Sequence, residues 1–148
     1  MPTSPQNDIF VILNPFARGN RGGGLRRRLE NLCTRAVVRT TETPGHATEL
    51  AREATGAGFR TIVVAGGDGT INEAINGLDG TAARLGVLPV GTVNVLAREL
   101  GVPLDLRRAW EIVRAGRTRR VDLARANGRR FIQMAGVGFD AETVRETT

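Results

Sequence analysis

Residues 62–73, Ile-Val-Val-Ala-Gly-Gly-Asp-Gly-Thr-Ile-Asn-Glu, decide the fold of this chain. A β-branched apolar run stops at Gly66 and Gly67, and a helical pattern begins after Gly69. This predicts a buried strand, a tight turn and a helix N-terminus. Such a turn lets backbone N–H groups approach an anion, most often phosphate, at the positive end of the helix. Asp68 among these amides fits either a helix cap or a role towards Mg²⁺ or a hydroxyl proton.

The composition limits the class of protein. A chain of 148 residues is long enough for one domain with a core and too short for two complete ones. The single cysteine, Cys33, excludes an internal disulfide and is expected to be buried in a cytosolic protein, and Trp110 is expected in the core. The only histidine, His46, is predicted to have a loop or capping role. Neither a signal peptide nor an apolar run of about 20 residues is present, so we expect a soluble chain.

All 21 basic residues are arginines, and the net charge is +6. Without lysine the chain cannot form a P-loop, a Schiff base or a Ser-x-x-Lys site. Bound phosphate therefore has to be held by backbone amides, arginine or a metal. The positive charge suits nucleotides, anionic lipid surfaces or nucleic acid. Because the arginines are scattered and only 4% of residues are aromatic, we expect no nucleic-acid partner.

Apolar runs and helical patterns alternate along most of the chain. Strands are predicted at residues 8–14, 36–40, 62–66 and 85–90, and helices at residues 25–32, 46–57, 70–78, 95–100 and 104–115. This order predicts an α/β fold of Rossmann-like type, a parallel sheet with helices on both faces. Glycine-bearing turns follow three of the four strands. Since such sheets bind ligands at the carboxyl ends of their strands, these turns are expected to meet in one crevice.

The pattern changes after the last of these helices. Residues 118–126 and 129–134 predict two strands joined by Asn-Gly, a strong signal for a tight antiparallel turn. We therefore predict an α/β domain over residues 1–117 and the start of a β-rich domain over residues 118–148.

Three motifs follow one another along the chain. They are Asn14-Pro15 with its basic glycine loop, Gly66-Gly67-Asp68-Gly69-Thr70-x-Asn72-Glu73, and Pro89-x-Gly91-Thr92-x-Asn94. Thr41, Gly45-His46-Ala47, Val121-Asp122-Leu123 and residues 136–141 accompany them. In this order, over nearly the whole chain, they resemble the catalytic domain of the diacylglycerol kinase and sphingosine kinase family, particularly its bacterial lipid kinases. Gly-Gly-Asp-Gly alone is shared with NAD kinases and phosphofructokinases.

The resemblance implies transfer of the ATP γ-phosphate to a lipid hydroxyl such as that of diacylglycerol, with Mg²⁺, in a cleft between this domain and a C-terminal β-rich domain. It implies that Asp68 is catalytic, through Mg²⁺ or on the acceptor hydroxyl, and that Asp122 supports the metal. The ATP-binding residues implied by the resemblance are Asn14, Pro15, Phe16, Ala17, Arg18, Thr41, Gly66, Gly67, Gly69, Thr70, Ile71, Asn72, Glu73, Thr92 and Asn94.

This chain departs from the family pattern in two ways. Many members have an acid where this chain has Val95, which removes one possible metal or water contact. The family's C-terminal domain, with the acceptor site, is not in these residues. We therefore expect residues 1–148 to bind ATP with Mg²⁺ weakly and not to phosphorylate lipid by themselves. A cytoplasmic protein peripheral to the membrane is expected.

Two alternatives stay open at this point. An NAD kinase-like enzyme would use residues 66–70 for the same phosphate contacts, although Asn14-Pro15 and the turn at residues 89–94 count against it. A non-catalytic nucleotide-binding module would differ in its response to Asp68→Asn, which removes kinase activity from an enzyme and leaves nucleotide binding by a sensor largely intact.

Overall fold

The computed structural model describes residues 8–17 and 24–133. The elements are β1 (Ile9–Leu13), α1 (Gly24–Leu32), β2 (Val37–Thr40), α2 (His46–Gly56), β3 (Thr61–Gly66), α3 (Asp68–Gly77), β4 (Arg84–Pro89), α4 (Val95–Glu99), α5 (Leu106–Ala115), β5 (Ala124–Ala126) and β6 (Arg129–Phe131). The four strands and five helices of the predicted α/β unit lie close to their predicted bounds. Within the described ranges, no helix has the length and apolar character needed to cross a bilayer.

The strands β1 to β4 form one parallel sheet in the order β2-β1-β3-β4. Successive side chains of a strand point to opposite faces of a sheet. Phe10 and Ile12 of β1 accordingly pack with α2 and α3 on one face, whereas Val11 and Leu13 pack with α1 and α5 on the other. Trp110 lies in this second cluster, as predicted. The predicted parallel sheet with helices on both faces is therefore confirmed.

The strands predicted for the terminal hairpin were too long. The observed strands β5 and β6 have three residues each, joined by Asn127 and Gly128 with φ of 48° and 77°, the pattern of the predicted tight turn. The ladder ends after Phe131 because the next residue, Ile132, turns into the core beside α3 and gives its N–H to a side chain of that helix. Residues 117–121 are exposed and border a cavity beside β4.

Cys33 follows α1 and is 1% exposed, as predicted for a buried apolar residue. Burial raises the pKa of its thiol from 9.0 to about 11. The folded state holds this proton more tightly than the unfolded chain does. The contribution of the Cys33 thiol to the free energy of unfolding is therefore complete below pH 9.0 and is lost as the pH rises to about 11.

We therefore expect native protein to react slowly with a thiol reagent at mildly alkaline pH and unfolded protein to react fast. The free energy of unfolding should fall by on the order of 2 kcal/mol across that pH window in wild type but not in Cys33→Ala. Thiol labelling and denaturant titrations measure both effects. Equal labelling rates for native and unfolded protein would contradict the burial.

Candidate nucleotide site

A cavity of about 470 Å³ lies at the carboxyl end of the parallel sheet. Residues that follow all four parallel strands contribute to it. Its lining consists of Asn14, Phe16, Ala17, Thr41, Glu42, Thr43, Pro44, Gly67, Gly69, Thr70, Glu73, Gly91 and Thr92. The turns after β1, β3 and β4 meet here, in the crevice where open α/β sheets bind ligands.

Asn14 fixes the chain at the end of β1. Its amide Nδ2 donates to Thr70 Oγ1 at 2.9 Å, and its Oδ1 accepts the N–H of Phe16 at 3.0 Å. Its own N–H binds the carbonyl oxygen of Ala65 in the neighbouring strand β3 at 2.9 Å. The first turn after β1 is thereby held against the first turn of α3.

The N-terminus of α3 points at this cavity. Gly67 is the N-cap residue, and no side chain caps the helix. The first N–H groups of a helix have no intrahelical partners and carry its partial positive charge. Gly67, Gly69 and Thr70 bring this part of the helix to the cavity wall. An anion is therefore the ligand that this helix end favours, although Glu42 and Glu73 add negative charge elsewhere on the wall.

The turn after β4 packs directly on the turn after β3. A Cβ added to Gly91 would overlap Gly67 Cα and lie 2.8 Å from Asn94 Oδ1. Asn94 is buried, has φ 54°, and closes its turn by accepting the Gly91 N–H at 2.9 Å and donating to the Gly91 carbonyl at 2.7 Å. The two glycine positions allow the backbones to touch.

Asp68 joins the same two turns through its carboxylate. Its Oδ2 accepts the N–H of Val95 at 3.0 Å, and its Oδ1 accepts the N–H of Leu96 at 3.1 Å. The negative charge thus lies at the N-terminus of α4, where it satisfies two amides and complements the helix dipole. Of the two uses that the sequence allows for Asp68, the structure shows helix capping, applied to α4 instead of its own helix.

The two predicted metal ligands, Asp68 and Asp122, lie in different surroundings. Each Asp68 oxygen accepts one amide hydrogen bond and keeps a lone pair, whereas Asp122 is exposed between α5 and β5. No group of three or more His, Cys, Asp or Glu residues able to hold a metal occurs within the ranges that the structure describes.

The predicted ATP-binding residues divide into two groups. Those on the cavity wall are Asn14, Phe16, Ala17, Thr41, Gly67, Gly69, Thr70, Glu73 and Thr92. Pro15, Gly66, Ile71, Asn72 and Asn94 lie away from the wall. Ile71 is 1% exposed and belongs to the core, whereas Gly66 packs against Thr70, whose Cβ would lie 2.8 Å from an added methyl group. Arg18, Gly19, Gly22, Gly23 and residues 136–141 lie outside the described residues.

The prediction missed part of the wall, the loop of Glu42, Thr43 and Pro44 after β2. Its position at the carboxyl end of a parallel strand is the signal that would have indicated it. His46 Nδ1 accepts the N–H of Glu42 at 3.0 Å, so the predicted loop or capping role of this histidine is confirmed. Glu73 in turn joins α3 to α2, since its carboxylate accepts the N–H of Ala47 at 3.3 Å.

The three motifs lie at the strand ends of this α/β sheet, and comparison with known families agrees with their arrangement. The family described as Diacylglycerol kinase catalytic domain matches residues 8–126, and the chain belongs to this family. The resemblance inferred from the motifs is therefore confirmed.

Individual relatives agree with this assignment. The chain is 48% identical over 101 residues to a protein of Bacillus subtilis named "Diacylglycerol kinase", covering 66% of this chain and 33% of that protein. It is 40% identical over 148 residues to "Probable lipid kinase YegS" of Salmonella arizonae, covering 95% and 49%. The crystal structure of a diacylglycerol kinase from Bacillus anthracis superposes with a TM-score of 0.74 at 31% identity, covering 97% of this chain and 51% of that one. The chain thus spans between a third and about half the length of these proteins.

Proposed function

We propose that this chain is the ATP-binding part of a lipid kinase that transfers the γ-phosphate of ATP to a lipid hydroxyl such as that of diacylglycerol. The observation that carries the proposal is the uncapped N-terminus of α3, which borders a cavity shared by the loops after all four parallel strands. The names of the relatives support a lipid as the acceptor. A volume of about 470 Å³ is within the range of small-molecule sites.

The proposed phosphate contacts come from backbone amides and a hydroxyl group. The N–H groups at Gly67, Gly69 and Thr70 would face the phosphates at the positive end of α3. Asn14 donates to Thr70 Oγ1, which leaves the hydroxyl hydrogen of Thr70 able to donate to a phosphate oxygen. Such preorganised donors stabilise phosphoryl transfer mainly by position and charge, and they need no lysine.

In the proposed reaction, the acceptor hydroxyl oxygen forms a bond to the γ-phosphorus. The bond from that phosphorus to the β–γ bridging oxygen breaks, ADP leaves, and the hydroxyl proton passes to a base. Asp68 remains our candidate for that base. Its carboxylate is fixed by the amides of Val95 and Leu96, and each oxygen keeps a lone pair for a further hydrogen bond.

A lipid acceptor implies that the reaction takes place at a membrane surface. We propose that the protein associates peripherally with the cytoplasmic side of the membrane. The relatives are two to three times as long as the matched part of this chain. We therefore propose that residues 118–148 begin the β-rich acceptor domain and that residues 1–148 alone bind nucleotide without phosphorylating lipid.

Two measurements test the proposal. Calorimetric titration of residues 1–148 with ATP and magnesium should show saturable binding, and NAD should bind more weakly. The full-length gene product should phosphorylate diacylglycerol in mixed micelles in preference to NAD. Preferential phosphorylation of NAD would replace the proposal with the NAD kinase alternative, and absence of ATP binding would refute it.

Asp68→Asn separates catalysis from binding. We expect lipid phosphorylation to fall at least about a hundredfold, the usual contribution of a positioned acid or base. ATP affinity should fall by no more than about tenfold, because one of the two amide hydrogen bonds of Asp68 is lost. The matched control is Asp105→Asn, which alters the N-cap of α5, where Asp105 accepts the Arg108 N–H at 3.0 Å away from the cavity. Full activity in Asp68→Asn, measured by phosphate transfer from labelled ATP, would remove Asp68 from the mechanism.

A further inference from the structure

Helix α3 presents two different flanks. Thr70 and Glu73 face the nucleotide cavity, whereas Asn72 and Asn76 bind the backbone of the terminal hairpin. Asn76 Oδ1 accepts the N–H of Arg130 at 2.9 Å, and Asn76 Nδ2 donates to the Arg130 carbonyl at 2.8 Å. Asn72 Oδ1 accepts the N–H of Ile132 at 3.0 Å. We call these two side chains the amide clasp.

The spacing of the clasp matches the spacing of the strand it holds. Two helix residues four apart are separated by about 6 Å along the axis. Two strand residues two apart are separated by about 6.6 Å. Asn76 can therefore bind Arg130 while Asn72 binds Ile132, as a neighbouring strand would. The Asn76 side-chain amide also donates to the Asn72 backbone carbonyl at 2.8 Å, so the two residues of the clasp are hydrogen-bonded to each other.

Buried apolar contact reinforces the clasp. Ile132 is 8% exposed and belongs to the core cluster that contains Ile71 and Ile75 of α3. Arg125 and Arg130 also form ion pairs with Asp79 just after α3. These pairs are partly exposed and contribute little. The register of the hairpin on α3 is thus set by the two asparagines and Ile132.

Asparagine is an unfavourable choice for the middle of a helix, because its amide competes with the backbone for hydrogen bonds. Here both amides bind another element. The same helix therefore carries the phosphate-facing N–H groups and the attachment of the hairpin, with Asn72 and Glu73 adjacent in sequence on its two flanks.

We propose that Asn72 and Asn76 are positioning residues, which fix hairpin β5–β6 relative to the nucleotide cavity so that the acceptor side of the cleft meets the γ-phosphate in register. This inference rests on the proposed function. In it, the clasp aligns the acceptor with the nucleotide, and its two side chains make no contact with ATP. It predicts that loss of the clasp affects turnover of lipid and leaves ATP binding unchanged.

Asn76→Ala in the full-length gene product tests the proposal, since Asn76 is not part of the cavity wall. We expect the KM for ATP to stay within about twofold and kcat with lipid to fall at least about tenfold, because a misplacement of about 1 Å can cost on the order of a hundredfold in rate. Asp79→Asn, which removes only the ion pairs, should keep kcat within about twofold, as exposed pairs contribute little.

A second variant with the same loss of stability distinguishes a loss of alignment from a general destabilisation of the fold. Ala54→Gly lowers helix propensity in the buried face of α2 and removes none of the hydrogen bonds of the clasp, although Ala54 shares a core cluster with Ile132. At an equal loss of melting temperature, it should keep kcat. An equal fall of kcat in Ala54→Gly, an unchanged kcat in Asn76→Ala, or a matching rise of the ATP KM would each overturn the proposal.

A readout without kinase activity keeps the test independent of the proposed function. Hydrogen exchange in residues 1–148 should show faster exchange of the Arg130 and Ile132 amides in Asn76→Ala than in wild type, at unchanged exchange in the sheet. Unchanged exchange at both amides would refute the clasp itself. Faster exchange in a protein that neither binds ATP nor phosphorylates lipid would instead refute the proposed function and, with it, the alignment role.

Discussion

Gly91→Ala is expected to weaken ATP binding by up to about a hundredfold, because each lost hydrogen bond to a charged phosphate costs about 1.5–3 kcal/mol. The added methyl group would overlap Gly67 Cα and lie 2.8 Å from Asn94 Oδ1 and 3.1 Å from Gly67 N. Two of these atoms are backbone, so a rotamer change cannot relieve the overlap. The turns after β3 and β4 must separate, which displaces the amides that we propose as phosphate contacts.

The same separation should lower stability. Asp68 bridges the turns through the Val95 and Leu96 amides, and that bridge stretches when Gly91 moves away from Gly67. Overpacking of this kind costs about 1–3 kcal/mol. Calorimetric ATP titration and thermal unfolding measure the two effects on one sample.

Gly69→Ala is the matched control for Gly91→Ala. Gly69 also lines the cavity, but a Cβ added there meets nothing within 4 Å. Its melting temperature should stay at the wild-type value or rise slightly, because alanine favours the helix. If Gly91→Ala kept both its melting temperature and its ATP affinity, the contact between the turns would not organise the site.

The α/β unit could be predicted from local patterns because its strands are continuous apolar runs and its helices have one apolar stripe each. Leu29 of α1 and Trp110 of α5 are buried where the helical period places them. Strand-to-helix alternation then limits the topology to a parallel sheet, and the ends of its strands locate the cavity. The pattern of apolar residues and the direction of the strands are thus enough to predict the α/β unit and the position of its cavity.

Two features that the sequence did not reveal depend on contacts between residues distant in sequence. Asp68 caps α4 across 27 residues, which no local pattern around Asp68 reveals. The strand predicted from residue 118 lacks a ladder partner before Ala124 within the described ranges, since strand formation depends on pairing more than on intrinsic propensity.

The direction in which each residue points around α3 would have improved the prediction of the ATP-binding residues. Residues three apart, Thr70 and Glu73, share the cavity flank of α3, whereas Asn72 is turned by about 200° from Thr70, at 3.6 residues per turn. The motif alone assigned all of them to ATP. The direction of Asn72 was thus available from the sequence, but its partner, Ile132, was not.

Of the substitutions proposed here, Gly77→Ala is expected to cause the largest loss of stability. A Cβ added to Gly77, the last residue of α3, would overlap the Thr48 carbonyl oxygen and lie 2.7 Å from Ala51 Cβ in α2. The backbone of one helix here meets the backbone of the other, so the helices must move apart. We expect a loss of about 3 kcal/mol, at the upper end of the usual cost of overpacking, and a fall in melting temperature of roughly 10 °C.

The separation of α2 from α3 would also affect the candidate site. The Glu73 carbonyl accepts the Thr48 hydroxyl at 2.8 Å, and its carboxylate accepts the Ala47 N–H, so Glu73 would lose partners on the cavity wall. Gly56→Ala is the matched control, because Gly56 ends α2 and an added Cβ there meets nothing within 4 Å. That variant should be as stable as wild type or gain up to about 1 kcal/mol. Equal melting temperatures for the two variants would show that α2 and α3 are not held at backbone contact, and the bonds of Glu73 to α2 would then lose their structural basis.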